Sequence, residues 1–242
     1  MLADGECVDN LQEADFDPRH WRDRGELEPV SGGRGAAWFI SSGVRSWVLR
    51  HYRRGGWAAK VVADRYFWRG EATVRAFAEC RLLAILYEHQ LPVPRPVAAR
   101  YQRFGVFYRC DLVTERIEES RPLSALLALA AQPELLWRTV GEAIARLHDF
   151  GVDHADLNAH NVLVDPQGRV SIVDFDRGRL RAPGSWNEKN LRRLQRSLLK
   201  ITRRLPVDRF STDAWYWLLA GYSGLPGASA GESTGGPPAG SA

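Results

Sequence analysis

His154-Ala155-Asp156-Leu157-Asn158-Ala159-His160-Asn161-Val162-Leu163-Val164, followed shortly by Ile172-Val173-Asp174-Phe175-Asp176, is the stretch whose reading settles the rest of the chain. Its apolar pattern predicts two short strands, Val162 to Asp165 and Val170 to Asp174, joined by the turn Pro166-Gln167-Gly168. The hairpin folds Asp174 back beside the loop that carries Asp156 and Asn161. Asp156 then sits where a loop exposes it and can accept a proton. Asn161 offers an amide oxygen and Asp174 a carboxylate, two hard donors suited to Mg2+. A lone His-x-Asp would more simply cap a turn. Capping does not explain the five-residue step to Asn161, the thirteen-residue step on to Asp174, or the apolar strand beside each.

On the C-terminal side, Leu191, Leu194, Leu198, Ile201 and Leu205 form one stripe, which predicts a helix over Asn190 to Leu205 with a basic outer face. Between Arg177 and Arg209 stand eleven basic and two acidic residues, a local +9 that leaves −5 for the remainder of a chain of net charge +4. One segment therefore faces something anionic. The stretch 223–242 is Gly, Ser, Pro and Ala with one charge and is expected to be disordered.

On the N-terminal side, helices are expected at Leu135 to Phe150, ending on Gly151, and at Leu123 to Ala131. Five strands precede them: Ala36 to Ser41, Ser46 to Tyr52, Trp57 to Val62, Arg95 to Tyr101 and Val106 to Ile117. A helix over Glu71 to His89 interrupts them and is stopped by Leu91-Pro92-Val93-Pro94. Residues 1–29 read as a polar segment. The expected fold is α+β in two lobes, a small five-stranded antiparallel lobe with one helix (30–117) and a mainly helical lobe (118–222).

With 45% hydrophobic and 26% charged residues in 242, the composition excludes a largely disordered or collagenous chain. The longest apolar run, Ala125 to Ala131, is far short of the ~20 residues that cross a bilayer. Cys7, Cys80 and Cys110 have no metal-knuckle spacing and their odd number argues against a disulfide framework, so a cytoplasmic protein is expected.

The quoted stretch matches the kinase catalytic loop H-x-D-L-x-x-x-N and the metal-binding D-F-G that follows it. That pattern makes Asp156 the base, Asn161 and Asp174 the Mg2+ ligands, and ATP the phosphate donor. It also demands a glycine-rich hairpin over the phosphates, for which Ser31-Gly32-Gly33-Arg34-Gly35-Ala36 supplies Gly33 and Gly35. A strand cation should pair with a helix glutamate; Arg50 is preferred over Lys60, with Glu79 as partner. Thr114-Glu115-Arg116-Ile117 would be the hinge, Glu115 and Ile117 receiving adenine through backbone groups. Asp176 stands where the pattern has glycine, and no A-P-E follows, so regulation by loop phosphorylation is not expected.

Finer blocks narrow the resemblance. Trp186-Asn187-Glu188-Lys189-Asn190-Leu191-Arg192-Arg193-Leu194-Gln195-Arg196, with Leu49-Arg50-His51-Tyr52-Arg53-Arg54-Gly55-Gly56 and Tyr108-Arg109-Cys110-Asp111-Leu112, resembles the 3-deoxy-D-manno-octulosonic acid (Kdo) kinases of lipopolysaccharide assembly. The resemblance implies phosphorylation of the Kdo 4-hydroxyl on a Kdo-lipid A precursor, by a peripheral protein at the cytoplasmic face of the bacterial inner membrane. Arg177, Arg192, Arg193 and Arg196 would hold the anionic acceptor and the membrane surface. No nucleic acid and no obligate protein partner is expected. Heptose kinases of the lipopolysaccharide core share the fold and the anionic substrate. Aminoglycoside phosphotransferases share D-F-D but take cationic substrates, against the basic segment here. A non-catalytic scaffold would be expected to have lost the base or a metal ligand, and all three are present.

Overall fold

The computed structural model describes residues 2–3, 11–30, 37–53, 64–205 and 209–225. The glycine-rich hairpin with Gly33 and Gly35, the expected strand Trp57 to Val62 with Lys60, and the expected disordered tail beyond Leu225 lie outside the described residues.

The first half forms β1 (Leu2–Ala3), β2 (Leu27–Pro29), β3 (Ala37–Ser42), β4 (Arg45–His51), β5 (Tyr66–Phe67), β6 (Pro96–Phe104) and β7 (Phe107–Glu115), of which β3 to β7 carry β-branched or aromatic residues. They make one antiparallel sheet in the order β1-β6-β7-β4-β3-β2, with β5 paired to β7. Gly43 at φ +58° provides the left-handed backbone that the tight β3–β4 turn needs. The sheet thus has seven strands among the described residues, where five were expected.

Part of the difference comes from residues 1–29, which composition sets apart as polar. Asp17 caps the short helix α1 (Pro18–Arg22) by accepting from the Arg19 N–H at 2.9 Å. Leu11, Phe16 and Trp21 are buried with Ile40, Trp47, Leu49, Val97, Ala98 and Val113 on one face of the sheet. The Trp21 indole, flanked in sequence by arginines, donates to the Asp15 carbonyl at 2.7 Å. Arg100 binds this layer to the sheet: its fork reaches Asp111 at 2.9 and 3.1 Å, and it also donates to the carbonyls of Glu13 and Phe16. β2 then adds an edge strand beside β3.

The other face carries α2 (Arg75–Glu88), whose Phe77, Leu83 and Leu86 are fully buried. The helix was expected from Glu71. Instead Glu71–Thr73 is a 3-10 turn and Val74 is extended, with φ −65° and ψ 121°, so the α-helix begins at Arg75. Val74 is completely buried, and its β-branched side chain suits the extended backbone.

The second half is mainly helical: β8 (Arg121–Pro122), α3 (Leu123–Leu129), α4 (Glu134–Asp149), β9 (Val152–Asp153), β10 (Val162–Val164), β11 (Val170–Ile172), β12 (Arg179–Leu180), α5 (Trp186–Thr202) and α6 (Thr212–Tyr222). The expected hairpin is β10–β11, extended by β8, while β9 pairs with β12. Gly151, at φ +90°, ends α4 as the glycine signal requires. α5 starts four residues before the expected Asn190, because Trp186 is buried and its indole donates to the Ala182 carbonyl at 2.8 Å. It stops at Thr202, short of the expected Leu205, and Pro206 next in sequence disfavours helical backbone at that residue. α6 has no counterpart among the expected elements. It packs on α4 with backbone nearly touching backbone: a side chain on Gly141 would collide with the Leu218 carbonyl, and one on Gly221 with Arg138. One continuous core runs from α2 through α4 and α5 to α6.

Candidate active site

The loop between β9 and β10 is held open by local strain and buried anchors. Ala155 takes φ +43°, an uncommon conformation for a side-chain-bearing residue, and turns Asp156 outward so that its side chain keeps 37% exposure. Behind it, Asp153 is 4% exposed and accepts from Arg181 at 3.0 Å, Asn190 at 3.2 Å, the Ala155 N–H at 3.2 Å and Arg179 at 3.4 Å. These donors outweigh burial and hold its carboxyl below the ordinary range. His154 is buried, its Nε2 3.0 Å from the Val173 carbonyl and its ring 4.6 Å from that of Phe175. Burial depresses its pKa, so the ring is neutral and Nε2 carries the proton to Val173.

Asn161 is buried, and its Nδ2 donates to the Asp156 carbonyl at 3.2 Å, which turns its Oδ1 the other way. A backbone bond from the Val173 N–H to the Asn161 carbonyl, 3.0 Å, joins this residue to the end of the hairpin. Asp174 follows at φ +67° with its side chain 41% exposed. The sequence-expected trio Asp156, Asn161 and Asp174 is therefore brought together, and all three are linked through backbone within one loop and one hairpin. Asn161 Oδ1 and the Asp174 carboxylate are hard oxygen donors, few in number, and fit Mg2+, which takes one or two protein ligands and completes its shell with phosphate and water.

Arg50 projects from β4 into this site. Its NH1 donates to Asp174, and its NH2 donates to Glu79 of α2 and, at 2.7 Å, to the Tyr52 hydroxyl. Burial opposes the Arg50 charge, but Glu79, Tyr52 and Asp174 hold it firmly cationic. Burial likewise pushes the Glu79 carboxyl up, against the pull of Arg50, while the Arg50 guanidinium keeps the Asp174 carboxyl below its usual range despite burial. Arg50 and Glu79, expected as strand cation and helix glutamate, are therefore paired, while Lys60 lies outside the described residues. Glu79 does more than pair: its Oε1 accepts the Phe175 N–H at 2.9 Å, so α2 holds the backbone next to Asp174.

At the end of β7 the Glu115 N–H donates to the Arg95 carbonyl at 2.9 Å, and the Ile117 carbonyl accepts from the Ser120 hydroxyl at 2.7 Å. Of the basic residues, Arg193 of α5 donates to the Asp156 carboxylate itself, which the helical pattern alone could not reveal. Arg192 pairs with Glu188 at 2.5 Å and is mostly exposed. Arg177 is exposed near the start of β12, outside this contact network. Arg196, Lys200, Arg203 and Arg204 line a groove of about 320 Å³ with Leu199 at its side, and none of them has an ion-pair partner among the described residues. Sequence reasoning missed Tyr52, Arg75, Asp153 and Asn190. Arg75 meets Asp176 from 101 residues away, Asp153 meets Asn190 from 37 and Tyr52 meets Glu79 from 27, and no spacing rule connects these pairs.

An antiparallel sheet with one packed helix, a helical half, and a loop-and-hairpin pair carrying Asp156, Asn161 and Asp174 against a strand cation define a protein-kinase-like phosphotransferase. The family model described as Lipopolysaccharide kinase (Kdo/WaaP) family matches residues 19–222, and the chain belongs to that family. It is 47% identical over 217 residues to a 3-deoxy-D-manno-octulosonic acid kinase of Stenotrophomonas maltophilia (strain K279a), covering 88% of this chain and 85% of that one. It is 50% identical over 203 residues to the protein of the same name in Xanthomonas euvesicatoria pv. vesicatoria (strain 85-10), covering 83% and 80%. Among the described residues no helix is long and apolar enough to cross a membrane.

Proposed function

We propose that the protein transfers the γ-phosphate of ATP to the 4-hydroxyl of a Kdo residue on a Kdo-lipid A precursor, working as a peripheral protein at the cytoplasmic face of the inner membrane. The observation that carries this reading is the ion pair between Arg193 and Asp156, which joins the proton-accepting carboxylate to the basic helix α5. An acceptor hydroxyl reaching Asp156 must pass a guanidinium, and an acidic sugar on a phosphorylated lipid is the acceptor that such a fork favours.

In this mechanism Asp156 accepts the proton of the attacking hydroxyl and aims its oxygen. Asn161 and Asp174 would hold Mg2+, which would supply positive charge to the triphosphate. Arg50, steadied by Glu79 and Tyr52, turns its fork to the α- and β-phosphates, with Gly33 and Gly35 as the covering hairpin and Lys60 the alternative cation. The Glu115 carbonyl and Ile117 N–H receive adenine. Arg193 and Arg192 orient the acceptor. Arg177 and the groove at Arg196 face lipid phosphate.

Incubating the protein with Mg2+-ATP and a Kdo-bearing lipid A precursor should add the mass of one phosphate to the lipid. A heptose-bearing core acceptor phosphorylated in its place would make this a heptose kinase, and phosphorylation of an aminoglycoside alone would remove the lipid reading.

A further inference from the structure

Asp176 stands where the general kinase pattern has glycine, and the mechanism above gives it no work. In the structure it accepts a bidentate fork from Arg75: Nε donates to Oδ1 at 2.7 Å and NH2 donates to Oδ2. Arg75 is the first residue of α2, so the fork joins the start of that helix to the residue after Phe175. Both partners are largely shielded, with side-chain exposures of 29% and 25%, and the Arg75 guanidinium lies 4.9 Å from the centre of the Tyr66 ring. One turn further along α2, Glu79 accepts the Phe175 N–H. The three residues Asp174 to Asp176 are therefore gripped twice by α2, while His154 holds the preceding carbonyl of Val173. Between these grips Asp174 is kept at φ +67°.

We propose that Arg75 and Asp176 are positioning residues whose fork fixes the orientation of the Asp174 carboxylate toward the metal. This rests on the reading of Asp174 as a metal ligand. Asp tolerates a left-handed φ better than most residues with a Cβ, yet it keeps that conformation only where its surroundings favour it. The Phe175 N–H bond restrains only one side of Asp174's peptide chain, and the fork at Asp176 restrains the next residue, so the two together leave little freedom between them. Outer partners of metal ligands characteristically act this way, and their loss costs about 10- to 100-fold in metal affinity or activity. The same fork ties the first residue of α2 to the helical half, so Arg50 and Glu79 stay in register with Asp174.

The test is calorimetric titration of ATP with and without Mg2+, alongside steady-state kinetics against Mg2+. Asp176→Asn should leave metal-free ATP affinity within twofold of wild type, yet cut the tightening that Mg2+ brings by about tenfold. The Mg2+ concentration for half-maximal rate should rise by a similar factor. Arg75→Gln should do the same from the opposite side, which covers the case of a poorly folded Asp176 variant, and Arg75→Lys should recover part of the effect. Asp174→Asn is the reference. If it abolishes the Mg2+ effect while the Asp176 and Arg75 variants retain all of it, the positioning role is wrong and the metal-ligand reading survives. If Asp174→Asn itself leaves the Mg2+ effect intact, both are wrong. A drop in melting temperature with unchanged Mg2+ linkage marks the fork as structural only and overturns the proposal.

Discussion

Asp156 shows how much a single side chain owes to its neighbours. Ala155 in a left-handed conformation turns it outward, Asn158 and Asn161 grip its carbonyl from below, and Arg193 meets its carboxylate from α5. Because proton acceptance matters mainly in the transition state, Asp156→Asn should lower kcat by ~10²–10⁴-fold. ATP affinity measured by titration should stay within a few-fold of wild type, and turnover like that of wild type in this variant would end its assignment as base. Arg193→Ala should instead raise the KM for the lipid acceptor, with Arg193→Lys recovering part of it, since a point charge replaces a fork. That Asp156, Asn161 and Asp174 come together was legible, because loop and hairpin are short and their spacing is fixed by local structure. The contacts of Arg75 with Asp176, Asp153 with Asn190 and Tyr52 with Glu79 were not, because only the packed fold brings those partners near.

Among the elements, α5 divides its labour along one length. Its inner stripe, Leu191, Leu194 and Leu198, is buried as the pattern requires, and the start of its outer face is spent on Glu188 and Asp156. Toward its end, Arg196, Lys200 and Arg203 line one groove and have no ion-pair partner among the described residues, and the proposed function gives that charge an external anion. Each basic group near an anionic bilayer contributes about 1 kcal/mol, and salt screens it. Reversing Arg196, Lys200 and Arg203 to Glu should abolish sedimentation with anionic vesicles at low salt, while ATP affinity and Tm stay unchanged. Binding that persists in the reversed protein would place the membrane contact elsewhere. The helix was readable in its middle and misread at both ends. A buried Trp186 extends the start, and a terminus is decided by contacts that periodicity does not contain.

For the whole molecule, one contributor to acid stability is a buried histidine behind the loop that carries Asp156, close enough to feel Asp153 and His154. His148 is buried at the end of α4, 2.9 Å from the Tyr222 hydroxyl of α6, with its ring edge-on to Trp186 of α5. Burial lowers its pKa from 6.5 to about 4. The unfolded chain therefore takes up a proton before the folded one does. The stabilisation is fully present above pH 6.5 and is lost as pH falls from there toward about 4, amounting to about 3 kcal/mol. Melting scans at stepped pH should show Tm falling across this window, and His148→Gln should flatten that slope even if it lowers Tm at neutral pH. An equally steep slope in the variant would assign the acid lability to other groups. At this scale the order of a sheet half followed by a helical half was plain from the chain. The layer of Phe16 and Trp21 over the outer face of the sheet was not, since arginines beside Trp21 hide an indole that is wholly enclosed.

The seam between α4 and α6, where Gly141 and Gly221 let two backbones meet, has a consequence for the order of synthesis. On the ribosome α4 emerges long before α6, and until α6 arrives the groove at Gly141 and the face of Trp137 that Phe210 later meets at 5.3 Å lack their covering partners. The loop of Asp156 and the β10–β11 hairpin are thus translated onto a scaffold whose far wall is still missing. A nascent chain halted after Leu205 should consequently be held by chaperones and cut by proteases in its α4 region, and release of the last helix should be the step that closes it.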